Sequence, residues 1–255
     1  MLDEFDRIHM GISSGVTSHQ VPDNIRSLVH QHPSLSLIIS GTKELRKIRG
    51  DYWSALFGFA VPISVSALSA EEAARLVEEP SRGMLSFRPT AIGEIVRLAA
   101  REPFLIQTLC THLFGIAVEG EHPSLDFDEV SQAAERMTHE SNGHFRDLFW
   151  RDIETDQQRL IYLAILEAYD NQSIPGLAGI QSELFAMQVT YDEETLESDL
   201  EHLVELEIVE RGKSKSQLRS TSDAHYGSSV PLFERWVRQN VDEVDLLVRA
   251  AEQLS

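Results

Sequence analysis

The chain has 255 residues, 42% of them apolar and 25% charged, which excludes a disordered polymer and allows one large domain or two ordinary ones. Residues 1–110 hold 11 Lys and Arg against 12 Asp and Glu, whereas residues 111–255 hold 11 against 29, so most of the net charge of −19 lies in the second half and repels phosphate backbones there. No apolar run approaches the roughly 18 residues that span a bilayer, the first residues are acidic where a secretory signal is basic, and the single cysteine, Cys110, cannot form an internal disulfide, so no membrane span and a cytoplasmic location are expected.

The first informative stretch is Leu2-Asp3-Glu4-Phe5-Asp6. A parallel strand ending in Asp-Glu projects two carboxylates from its carboxyl end, where ligands sit in open α/β sheets. Ser36–Ser40 is a short apolar run ending at Gly41-Thr42 and reads as a buried parallel strand. Pro62–Ser66 reads as another strand. Ser69 caps a helix from Ala70 to Glu79, with Ser69-Ala-Glu-Glu close to a capping box and Pro80 as the stop.

From about Pro89 the pattern turns wholly helical. Ile92, Ile95, Val96 and Ala99 form one apolar stripe; Phe104, Leu105, Leu109, Leu113 and Ile116 form another after Pro103, which suits a helix's first turn. Helices are expected over 126–137, 142–153 and 157–169. A Gly/Pro loop follows at 174–179, then a short helix over 180–187 and a longer one over 192–206. Ile208–Arg211 is strand-like, Gly212–Ser216 reads as a wing tip, and Pro231 opens a closing helix. Helix, turn, helix and hairpin make the order of a winged helix. The expected fold is therefore mixed α/β and then α. Its parts are the distal half of a parallel-sheet nucleotide-binding domain (1–88), a helical lid (89–155) and a winged-helix domain (156–255).

Five segments carry a resemblance: LDEFDRI, SLSLIISGTKELRKI, VPISVSALSAEEAARLVEEP, IGEIVRLAAREPFLIQTLCTHLF and VPLFERWVRQN. In that order the chain resembles the AAA-related STAND class of P-loop signalling ATPases, from the Walker B acids onward. The resemblance implies ATP and Mg²⁺ as ligands, Asp3 as the Mg²⁺ ligand and Glu4 as the catalytic carboxylate. It further implies Thr42 as the sensor at the strand end, touching a γ-phosphate or the lytic water, Arg49 in the region of an arginine finger, and the turn at Arg101 and Pro103 as the lid's contact with the nucleotide. Two departures stand out. The phosphate-binding G-x-x-x-x-G-K-[ST] loop is missing, since Gly212-Lys213-Ser214 has Glu207 where the first Gly belongs. Arg101 also stands two residues before Pro103, where the family usually has Gly.

The expected activity is thus ATP hydrolysis only when another segment supplies the P-loop, with none from this chain alone. The alternative is a non-catalytic adaptor that binds a protein partner through the helical and winged-helix parts, with oligomerisation open to either. A DNA-binding regulator is disfavoured because residues 192–207 carry eight carboxylates and no Lys or Arg. His30, His32, His139 and His144 lack the i, i+4 pairing of a helical zinc site and read as surface or capping residues.

Overall fold

The structure is a computed structural model that describes residues 1–41, 61, 63, 65–121, 123–139, 143–171, 175–213 and 224–253. It divides into two compact units, Met1–Val65 and Ser66–Ser255. The boundary expected at residue 88 lies inside the second unit.

In the first unit two helices, α1 (Asp6–Ser13) and α2 (Val21–Gln31), are amphipathic and short. They bury Phe5 and Ile12, with Leu2, Ile8, Val21, Ile25 and Ile39 packed around these two. Pro22 enters α2 in its first turn, where its missing N–H has no carbonyl to reach. The expected strand at Ser36–Ser40 is present as a single parallel bridge, Leu2 to Ile39. Leu2 N–H donates to Ile38 O at 2.8 Å, and Ser40 N–H returns a bond to Leu2 O at 2.9 Å. Among the described residues no other strand pairs with it, and the expected strand at Pro62–Ser66 is not formed by those of its residues that are described. The apolar side chains that a wider sheet would bury are bare: Ile38 is 64% exposed, Ile63 87% and Val65 95%.

The second unit runs α3 (Ala70–Ser81), β1 (Ser86–Phe87), α4 (Pro89–Leu98), α5 (Pro103–Glu119), β2 (Ser124–Leu125) and α6 (Phe127–His139). A short helix, α7 (Gly143–Asp147), passes directly into a π-helical turn, Leu148–Asp152. Then come α8 (Asp156–Asp170), α9 (Leu177–Ala186), α10 (Glu193–Glu205), β3 (Val209–Lys213), β4 (Ala224–Ser228), α11 (Pro231–Asn240) and α12 (Glu243–Gln253). Strands β1 and β2 pair in parallel, and β3 and β4 pair antiparallel with Val209 opposite Ser228.

Local chemistry explains the starts and stops. Ser69 Oγ accepts from Glu72 N–H at 3.2 Å while Glu72 Oε2 accepts from Ser69 N–H at 2.9 Å, a complete capping box. Pro80 does not stop α3 as expected. It sits inside the last turn, and the helix runs on to Ser81, whose hydroxyl donates to Val77 O at 2.9 Å. The helix expected over 142–153 is broken by the π turn, and α9 begins at Leu177, inside the expected loop.

One hydrophobic core runs from α3 to α12 without a break at residue 155. Its middle is aromatic: the Phe233 ring lies 5.3 Å from Tyr162, 5.8 Å from Phe145 and 6.3 Å from Phe149 and Trp236. Helix α11 packs on α6 and α4 as well as continuing the hairpin, so it joins the helices expected to form the lid to the part expected to form the winged helix.

Candidate functional site

The strand-end acids are set by the parallel bridge. Because Leu2 pairs with Ile39, Asp3 falls beside Ser40, the last residue before Gly41-Thr42. Ser40 Oγ donates to Asp3 Oδ1 at 2.6 Å, and Glu4 N–H donates to the same oxygen at 3.0 Å. The Ser40 hydroxyl first, and the Glu4 amide second, hold the Asp3 carboxyl below the usual carboxylate range. Phe5, fully buried, anchors the turn that follows, and its N–H donates to Ser40 O at 3.0 Å.

Glu4 is placed differently. Its φ of 50° is left-handed, a backbone region that costs a non-glycine residue about 1–2 kcal/mol. Its carboxylate pairs with Arg7 Nε at 2.8 Å, both side chains being more than half exposed. The two acids therefore hold different partners. Thr42 and Arg49 lie outside the described residues.

A Mg²⁺ ion ordinarily takes one or two carboxylates and completes its octahedron with waters and substrate phosphates. Among the described residues no group of three His, Cys, Asp or Glu side chains converges on one point. Asp3, with Oδ1 fixed by two donors, fits the one-carboxylate arrangement and not an all-protein cage. Ser40 is the member that sequence reasoning missed; its signal was its place as the strand's last residue, directly before Gly41-Thr42.

The lid turn is built at the end of α4. Arg101 N–H reaches Val96 O at 3.2 Å and Ala100 N–H reaches Arg97 O at 3.2 Å, the crossed bonds of a Schellman close. Ala100 (φ 49°) and Arg101 (φ 63°) are both left-handed. The usual family glycine two before Pro103 thus coincides with a position whose backbone glycine would adopt without strain. Arg101 O accepts from Leu68 N–H at 3.1 Å, tying the turn to the chain before α3. Pro103 opens α5, and the ring of Phe104 sits 4.9 Å from that of His144. Burial pushes the His144 imidazole below its ordinary value, against the pull of Asp152, Glu102 and Asp147.

Arg101 lines an open cleft of about 510 Å³ together with Ser66, Ala67, Arg97, Glu207 and Ser229. Arg97 is held by Glu94, with Nε and Nη2 at 2.8 and 2.7 Å from its two oxygens. Pro103 is not among the lining residues. On the winged helix, α10 buries Leu196, Leu200 and Leu203 and exposes Glu193, Glu194, Glu197, Glu201 and Glu205. Gly212 and Lys213 lie in β3, with Gly212 opposite His225, and Ser214 falls outside the described residues.

No family model matches the chain, and no curated protein matches it. Among solved structures it is similar to the Aeropyrum pernix ORC2 protein, determined in ADPNP-ADP complexes, with a TM-score of 0.60 at 14% identity. The similarity covers 100% of this chain and 65% of that one, so the chain spans about two thirds of its neighbour's length. The likeness is one of fold. At that identity it shows a shared fold and does not single out the STAND class. Among the described residues no helix is long and apolar enough to cross a membrane.

Proposed function

We propose that the chain is the distal portion of a nucleotide-switch ATPase of the STAND kind, which binds and hydrolyses Mg-ATP only with a P-loop supplied by another segment. The observation that carries this reading is the Asp3 carboxyl held at the end of a parallel-paired strand by Ser40. Two further facts support it. The apolar residue Ile38, next to the bridge residue Ile39, is bare in the first unit, as a strand awaiting a neighbour would be. The ORC2 neighbour was solved with ADPNP and ADP.

In this reading Asp3 holds Mg²⁺ through its carboxylate, with Ser40 fixing the carboxylate's orientation. The bound ion supplies charge neutralisation to the triphosphate. Glu4 polarises the attacking water, and for that it must leave Arg7, a surface pair of the weakly held kind. Arg101, on the turn before Pro103, is the contact with the nucleotide that the resemblance implies.

The test joins the chain to an upstream P-loop segment and measures ATP turnover. Wild type is expected to turn over, Glu4→Gln to bind but not hydrolyse, and Asp3→Asn to lose Mg²⁺-dependent binding. Turnover indifferent to both substitutions would sink the reading.

The adaptor reading is favoured by one observation, the exposed apolar side chains on the outer face of α5. There Phe104, Phe114 and Val118 are each about half exposed or more, a surface suited to a protein partner and not to a nucleotide. It predicts partner binding unchanged by ATP and unaffected by Asp3→Asn.

A further inference from the structure

The π turn that links the lid helices to the winged helix is closed by an ion–aromatic clamp that nucleotide chemistry does not use. A π turn shifts its hydrogen bonds by one residue and leaves carbonyls to be satisfied from outside. Arg159, on α8, supplies the donors: Nε bonds Phe149 O at 2.7 Å, and Nη2 bonds both Trp150 O at 3.0 Å and Ile153 O. Its Nη1 bonds Asp156 Oδ1. Arg159 is 4% exposed and Asp156 fully buried, so neither charge has water to fall back on.

The second oxygen of Asp156 faces α12, where Arg249 Nε lies 3.6 Å away. The same Arg249 guanidinium sits 4.5 Å from the centre of the Trp150 ring, with Arg159 at 5.3 Å from it. One side chain of the last helix therefore touches both the buried acid and the aromatic residue of the turn.

Helix α12 is lightly held for such a position. It packs chiefly on α8, and among its described side chains only Leu246 and Ala250 are buried. Val244 and Val248, one turn apart on its outer face, are 68% and 53% exposed.

We propose that α12 is a detachable latch on the joint between lid and winged helix. Seated, its Arg249 adds a second cation beside Asp156 and covers Trp150, which keeps Arg159 on the carbonyls of the π turn. Displaced, it withdraws the Arg249 charge from beside Asp156 and uncovers Trp150, and the turn is free to rearrange. The latch operates whether or not the chain handles a nucleotide, so its failure and the failure of the ATPase reading are separate results.

Hydrogen exchange on the full chain tests it. In wild type, the amides of α12 should exchange ahead of those of α8, since a latch opens before the body it closes. Arg249→Ala should speed exchange over residues 148–153 by about tenfold while α3 and α5 keep their rates. Arg249→Lys, which keeps the charge but not the flat stack, should fall between the two. Val248→Ala, on the exposed face, should change nothing at the turn. Three results overturn the proposal: α12 as protected as α8, no acceleration at 148–153, or one uniform acceleration through every helix, which marks ordinary loss of stability. If Arg249→Ala does not fold, the wild-type order of α12 and α8 still decides.

Discussion

Asp3 and Arg101 show how much a single side chain or a single φ angle decides in this protein. The Asp3 carboxyl titrates below the roughly 3.9 of an unfolded aspartate because Ser40 and the Glu4 amide donate to it. Its contribution to stability is therefore present above the unfolded value and fades as the pH falls through the depressed one. Ser40→Ala should raise the Asp3 pKa toward the ordinary range, which a carboxyl NMR titration reads directly; an unmoved titration would show that the hydroxyl does not hold the acid. At the lid turn the sign is opposite, since the native residue is the strained one. Arg101→Gly removes a left-handed non-glycine residue and should stabilise the second unit by about 1 kcal/mol, a rise of a few degrees in Tm. Burial pushes the Cys110 thiol up to about 11. At pH 8 it should stay protonated and resist alkylation until the chain is unfolded in denaturant.

Elements were legible where the signal is local and illegible where it depends on contacts far along the chain. Ser69, Pro103 and Pro231 announced the starts of α3, α5 and α11 because a cap, or a proline in the first turn, acts on its own helix and needs no tertiary partner. Ser69→Ala should accordingly cost about 1 kcal/mol, read as a lower urea midpoint with an unchanged slope. The π turn was invisible because its carbonyls are satisfied by Arg159, a residue that reads as one more polar position on an amphipathic helix. The buried pair of Asp156 and Arg159 was hidden in the same way: a charged residue inside the core gives no periodic mark. At the candidate site, the Asp-Glu motif draws attention to Asp3, but its hydrogen-bond partner Ser40 lies 37 positions away and follows only from the register of Leu2 on Ile39.

For the whole second unit, the sequence suggested a seam between lid and winged helix at residue 155, and the packing gives that seam a testable meaning. Phe233 is fully buried, and its ring touches the aromatic cluster on both sides: Phe145 and Phe149 from the lid side, Tyr162 and Trp236 from the winged-helix side. A core continuous across the seam cannot lose one half and keep the other at full stability, because each half supplies part of the apolar surface that buries the other. Phe233→Ala removes a ring from the middle of this cluster and should cost about 3–5 kcal/mol, the range for a buried phenylalanine. That loss should appear equally in the exchange of the most protected amides of α5, in the lid, and of α8, in the winged helix, since both would open only by global unfolding of the unit. Two separate thermal transitions, with α5 unmoved by the substitution, would mean instead that the lid and the winged helix fold as independent domains that merely touch. The aromatic cluster would then be an interface between them, and any change of angle there would cost only the breaking of that contact.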